Sequence, residues 1–247
     1  MNSAYHRHVA SRSGLGNSTT RQLQRMVPML LVPVGSTEQH GPHLPLDTDT
    51  RIATAVAGAA VEQLGAPAGR DAVVAPAVSY GASGEHEGFP GTVSIGTAAL
   101  ELLLVEYGRS ASHWASRIVF VNGHGGNVEA LSAAVGLLRY EGRDAGWAPC
   151  SVPDADPHAG HTETSVLLHI SPDDVLTEEI ICGITAPLTE LMPRMRSGGI
   201  AAVSEVGILG DPTTATAAEG ERIFAEMVNG CADRIKRWQP DRNGLLT

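Results

Sequence analysis

Short apolar runs alternate with helix-patterned segments along most of the chain, and no segment repeats. That alternation is the strongest constraint on the fold, because it calls for a mostly parallel sheet with helices on both faces. The run 29–34 (MLLVPV) is short, apolar and bounded by prolines, and 117–122 (RIVFVN) is the clearest central strand. Further strands are expected over 71–78 and 147–152. Apolar spacing predicts helices over 50–64 (stopped by Gly65), 97–114, 128–141, 163–169 and 214–238. The stretch 178–195 is also helical by pattern, although Pro187 and Pro193 interrupt it. Asn17-Ser18-Thr19-Thr20 can cap a short helix running to Met26. Residues 1–17 are polar and rich in Ser, Gly and Arg, so they are expected to form a disordered tail ahead of one domain over 18–247. The first 37 residues contain no acid, as in a transit peptide, but a floppy tail or an early start codon is the preferred reading.

At 247 residues and 43% hydrophobic content the chain can bury a sizeable core. Its net charge of −10 repels nucleic acid and anionic membrane, so no polyanionic partner is expected. The apolar stretch 26–35 is too short for a membrane span and carries two prolines. Cys150, Cys182 and Cys231 are too few and too far apart for a disulfide framework or a zinc–thiolate site. They read as small buried hydrophobes in a reducing cytoplasm.

In parallel sheets the sites lie in loops beyond the carboxyl ends of the strands, and here those loops hold the chemistry. Gly35–Thr50 (GSTEQHGPHLPLDTDT) carries Glu38, His40, His43, Asp47 and Asp49 on a backbone shaped by glycine and proline. In an extended segment Glu38 and His40 point the same way, with Cα atoms about 6.5–7 Å apart. Paired catalytic metals sit about 3.5–4 Å apart, so each residue can hold a different ion. Asp49 or Asp47 is the candidate bridge, and spacing does not choose between them. A second loop, VNGHGGN (121–127), delivers His124 into a glycine turn that opens a helix, with Asn127 placed to cap the helix or lock the loop. A third, DADPHAGHTETS (154–165), gathers His158, His161 and Glu163. Imidazole and carboxylate without thiolate suit Zn²⁺, Fe²⁺ or Mn²⁺ rather than Ca²⁺ or Mg²⁺.

The pieces PVGSTEQHGPHLPLDTDT (33–50), GEHEGFPGTVSIG (84–96), VNGHGGN (121–127), HAGHTETS (158–165) and GILGDPTTATAAEGE (207–221) resemble the creatininase family of metal-dependent amidohydrolases, in family order. The first and third are the most specific. The resemblance implies a three-layer α/β/α sandwich, a homo-oligomer (hexamer or octamer) and two divalent metal ions per subunit. It assigns Glu38 and His124 to one metal, His40 to the other and Asp49 to both, with His158 as the catalytic histidine near the leaving group. One position departs from the pattern. Creatininase has a metal-binding glutamate two residues after the histidine that matches His124, and here that residue is Gly126. Glu163 is the acid chosen to complete the second metal or to serve as acid/base. His86, Phe89 and Thr92 are expected to line the pocket mouth.

Within the family the chain is most similar to peptidases that cleave a radical-SAM-modified precursor peptide near its C-terminus and release a Val-Tyr-derived dipeptide. The GHGGN form, the stretch 193–213 and the arginine-rich composition carry that similarity. The expected chemistry is attack on the amide by a hydroxide held between two cations, with His158 or Glu163 protonating the departing amine. The alternative is a family hydrolase of a small cyclic amide or formamide. A phosphate-binding loop at Gly123–Gly126 is disfavoured, because the chain has no lysine before Lys236 and the facing loops bring carboxylates. A metal-holding scaffold without catalysis is disfavoured too, since open two-metal sites keep water for chemistry.

Overall fold

The computed structural model describes residues 14–65 and 72–247, so the predicted tail over 1–13 lies outside the described residues. Four parallel strands form one sheet in the order β2-β1-β3-β4: β1 (Met29–Val34), β2 (Ala72–Val74), β3 (Arg117–Asn122) and β4 (Ala145–Pro149). The seven described helices are α1 (Thr20–Leu23), α2 (Thr48–Leu64), α3 (Gly96–Ala111), α4 (Val128–Tyr140), α5 (His161–Ile170), α6 (Leu188–Gly198) and α7 (Ala217–Arg237).

Strand periodicity distributes the apolar side chains between two layers. Met29 and Leu31 of β1 and Val119 and Val121 of β3 pack with α2, α5 and α7. Leu30, Val32, Ile118 and Phe120 face the opposite way, against α3 and α4. Both strands are therefore buried on both faces, as the uninterrupted apolar runs require. The arrangement is the expected α/β/α sandwich.

Several predicted boundaries move, each for a local reason. Leu15–Asn17 is a 3-10 turn rather than tail, and Leu15 packs on the α3/α4 side of the sheet. α1 keeps its capping box, Thr19 with Gln22, but ends at Leu23. The strand predicted over 71–78 is ordered as Ala72–Val74, residue 71 lying outside the described residues, and Val78 makes one further bridge to Val34. The strand predicted over 147–152 begins at Ala145 and stops at Pro149. The predicted helix 178–195 splits. Thr177–Glu179 is a 3-10 turn, after which Gly183 and Ile184 donate backbone N–H to Gly210 O (3.0 Å) and Ile208 O (3.2 Å). Pro187 then sits at the N-cap of α6, and Pro193 is carried inside that helix. Cys182 lies on the non-helical stretch and is exposed, unlike buried Cys231.

The carboxyl ends of β1 and β3 are adjacent, and two glycines let them close on the start of α2. A Cβ on Gly35 would stand 2.4 Å from Thr50 Cα, and one on Gly123 would stand 2.4 Å from Asp49 O. Asn127 ties the loops together: its Nδ2 donates to Gly35 O (3.0 Å) and its Oδ1 accepts from Ala82 N (2.9 Å). Gly123→Ala is therefore expected to cost about 1–3 kcal/mol by overpacking. Gly136→Ala in α4, where a Cβ meets nothing within 4 Å, is expected to stabilise by up to about 1 kcal/mol through helix propensity. Urea unfolding of both variants checks the opposite signs.

Candidate metal centre

The N-terminus of α2 presents Asp49 between two imidazoles. Asp49 Oδ1 lies 3.1 Å from His40 Nε2, and Oδ2 lies 3.3 Å from His124 Nδ1. Ser36 Oγ donates to Oδ2 at 2.7 Å. Asp47 is not brought to this point, because Arg51 one turn later draws its carboxylate away at 2.7 Å. Glu38 Oε2 lies 3.2 Å from His124 Nε2, and Oε1 lies 3.3 Å from His86 Nε2 and 3.8 Å from His158 Nδ1. Glu163, in the first turn of α5, reaches to 3.9 Å from His40 Nε2. Its Oε2 accepts from Ala159 N at 2.6 Å, and Ala159 holds φ at 52° to aim that N–H. The bridge between His158 and Leu209 fixes the third loop against 208–210.

Three groups have ligand atoms close enough to share an ion: Glu38, His40 and His158; Glu38, Asp49 and His124; His40, Asp49 and Glu163. The fit to cations rests on Glu38. Both its oxygens are buried and neither is met by a donor in regular hydrogen-bond geometry, an arrangement that is costly unless positive charge faces it. His40 Nδ1 donates to Glu38 O at 3.1 Å, leaving Nε2 for the space between Asp49 and Glu163.

The electrostatics without metal follow from burial and proximity. Burial alone would lower His40, but the Asp49 carboxylate, with Glu163 and Glu38, raises it to about 10. His124 is likewise raised to about 9 by Asp49 and Glu38 against the effect of burial. Burial would push Asp49 up, yet His40 and His124 hold it well below the usual carboxylate range. Burial, with the neighbouring Asp49, raises Glu38 to about 7, and burial first of all does the same for Glu163. His158 is held well below its ordinary value by burial and by the facing His40 and His86.

A cavity of about 450 Å³ opens on this cluster, with Asp49, His124, His158 and Glu163 facing apolar Leu188 and Met192 of α6. Glu85 and Arg196 also line it. The predicted mouth residues do not line this cavity. His86 is buried behind Glu38, Phe89 packs with Leu191 and Ile200, and Thr92 Oγ1 accepts from Gln39 N at 3.1 Å. His161 turns away to Thr214 Oγ1 at 2.8 Å. Sequence reasoning passed over Ser36, Gln39 and Glu85. At position 126 no side chain fits, since a Cβ would stand 2.3 Å from Ala82 O and 2.4 Å from His124 Nε2.

The family profile described as "Creatininase: Creatinine amidohydrolase" matches residues 17–235. A "Mycofactocin precursor peptide peptidase" from Mycolicibacterium smegmatis is 89% identical over 247 residues, covering 100% of both chains. A protein of the same name from Mycobacterium tuberculosis is 64% identical over 251 residues, again covering 100% of both. Among solved structures, one described as "Creatininase Mn" superposes with a TM-score of 0.76 at 29% identity, covering 94% of this chain and 100% of that one. A mutant creatininase of "Zn-Zn type" gives 0.75 at 29% identity with the same coverage.

At neutral pH both His40 and His124 carry a proton that an incoming metal displaces. If these four side chains hold the ions, uptake of Mn²⁺ or Zn²⁺ by metal-free protein is expected to release about three protons at pH 7, one from each imidazole and about half of one from each of Glu38 and Glu163. Affinity is expected to rise from pH 7 toward pH 9, because the protons held below about 10 and about 9 leave as pH increases. Calorimetry in buffers of different ionisation enthalpy measures the release; binding without it would remove these imidazoles from the ligand set.

Proposed function

The chain belongs to the creatininase family, and from that premise we propose that it is a metal-dependent peptidase acting on the modified mycofactocin precursor peptide. It cleaves an amide bond near the C-terminus of that peptide and releases the Val-Tyr-derived dipeptide. The observation that carries the chemistry is Asp49, whose two oxygens face His40 and His124 on opposite sides. The substrate follows from full-length similarity to proteins named for that peptide. The second reading, a hydrolase of a small cyclic amide, draws on the weaker likeness to creatininase and meets the altered position Gly126.

In this reading Glu38 and His124 would hold one divalent ion, His40 and Glu163 the other, and Asp49 would serve both. When bound, such a pair supplies the Lewis acidity that makes water nucleophilic at neutral pH and polarises the amide carbonyl. Zn²⁺, Fe²⁺ and Mn²⁺ all suit these donors. His158 donates Nε2–H to Gln39 O at 2.8 Å, so its Nδ1 faces the centre with a lone pair. There it takes a proton from the water that adds to the carbonyl and passes it to the departing amine nitrogen. The half-exposed apolar wall of α6 gives the released fragment a dry surface. We read residues 18–247 as one domain, working in the cytoplasm as a homo-oligomer. Exposed Leu102 on α3 and Tyr140 on α4 support the oligomer, and no described helix is long and apolar enough to cross a membrane.

Mass spectrometry of products from the modified precursor peptide, with Zn²⁺, Fe²⁺ and Mn²⁺ restored singly, tests the function. The released dipeptide is the expected product; turnover of creatinine with an intact peptide would overturn the assignment. Asp49→Ala is expected to lose both ions and at least ~10³-fold of activity, and full metal occupancy in that variant would exclude the bridging role. His158→Ala is expected to retain metal but lower kcat by about 10²–10⁴-fold. Unchanged kcat would take His158 out of the proton transfer.

A further inference from the structure

Gln39 is buried between the two candidate ligands Glu38 and His40, and its amide has partners on every side. Oε1 accepts from Gly41 N at 2.9 Å, and Nε2 donates to Gly207 O at 3.0 Å. A flipped amide would set oxygen against oxygen at Gly207 and N–H against N–H at Gly41, so the orientation is fixed by backbone. Nε2 also lies 2.9 Å from His86 Nδ1 and 3.1 Å from His158 Nε2, and it has one hydrogen left.

His158 Nε2 cannot take that hydrogen. It stands 2.8 Å from the backbone carbonyl of Gln39, which only accepts, so His158 Nε2 itself carries a hydrogen. The remaining amide hydrogen therefore goes to His86 Nδ1, which must be a bare acceptor. The ring hydrogen of His86 is then on Nε2, facing Glu38 Oε1 at 3.3 Å. His158 Nδ1 is the next ring atom to that oxygen, at 3.8 Å, and the Ser83 hydroxyl also approaches the Glu38 carboxylate.

We propose that Gln39 is a positioning residue that sets the tautomer of His86, and through His86 aims the carboxylate of Glu38 at the metal. Gln39 Nε2–H donates to His86 Nδ1, and His86 Nε2–H then faces Glu38 Oε1 at 3.3 Å, a polar contact outside regular hydrogen-bond geometry. It leaves Glu38 Oε2 free on the His124 side. The same residue holds His158 from its backbone carbonyl, so one buried glutamine governs two imidazoles by opposite means, as a donor to one and an acceptor from the other. The functional half of this proposal rests on the reading of Glu38 as a metal ligand; the tautomer half does not.

The test uses the full-length protein. Long-range ¹H–¹⁵N correlation spectra of histidine-labelled, metal-free protein report the tautomer of each ring directly. His86 and His158 are both expected to carry hydrogen on Nε2, and a hydrogen on His86 Nδ1 would overturn the proposal without any mutation. In Gln39→Glu the one hydrogen a buried carboxyl carries is taken by Gly207 O, so none is left for His86, which is expected to switch to Nδ1–H while His158 keeps Nε2–H. Mn²⁺ affinity of that variant is expected to fall about 10–100-fold, the cost of losing an outer partner of a ligand. Gln39→Met, uncharged and of similar volume, is expected to weaken Mn²⁺ binding in the same range; wild-type affinity in both variants would sink the positioning role. None of these measurements uses the peptide, so a failed peptide assay and a failed tautomer assignment are distinct outcomes.

Discussion

The carboxylate of Asp49 is almost completely removed from water, and a charge so placed costs several kcal/mol unless opposite charge reaches it. Here it is met on one side by His40 and on the other by His124, with the Ser36 hydroxyl on Oδ2. It also sits in the first turn of α2, where the helix dipole favours negative charge. Without metal, protons on the two imidazoles balance it; with metal, the ions replace those protons. Removing either imidazole would leave the buried carboxylate short of a partner.

That balance is possible only because of the sheet order. β1 and β3 are direct neighbours, so the loops that follow them emerge side by side at the carboxyl end. Glycines at 35 and 123 remove the side chains that would hold those loops off α2, and Asn127 bonds across to both Gly35 and Ala82. The third loop is not next to them in the chain. It is pinned instead by the bridge between His158 and Leu209, so a segment fifty residues later in sequence helps to position the His158 imidazole.

Much of this is legible in the sequence, for physical reasons that differ by residue. The runs 29–34 and 117–122 are apolar on both faces, and only a central parallel strand requires that. Glu38, His40 and His124 stand out because metal-binding groups directly follow such strands. The choice of Asp49 over Asp47 was not available from spacing; it depends on Arg51, which takes Asp47 one helical turn away. The first half of the helix predicted over 178–195 fails because Gly183 and Ile184 pair with Gly210 and Ile208, a partner segment remote in sequence that no local pattern reveals. Gln39 is hidden for a related reason. Strand-like alternation turns it away from Glu38 and His40, and its partners at 86, 158 and 207 come from three remote segments.

Gly126 stands where the family resemblance leads one to expect an acid. The space beside it is closed by Ala82 O, His124 Nε2 and Glu85 Oε1, so restoring a side chain there would displace the 82–86 turn rather than fill a gap. The acid proposed in its place comes from α5, where Glu163 accepts from the Ala159 N–H and approaches His40 to 3.9 Å. Moving the carboxylate from the glycine turn to a helix leaves Gly123–Gly126 as bare backbone along one edge of the cavity, opposite the apolar face of α6. A narrow ring-shaped substrate does not need such an edge. An extended peptide does, because its own amides must lie against backbone on one side while its apolar end is removed from water on the other.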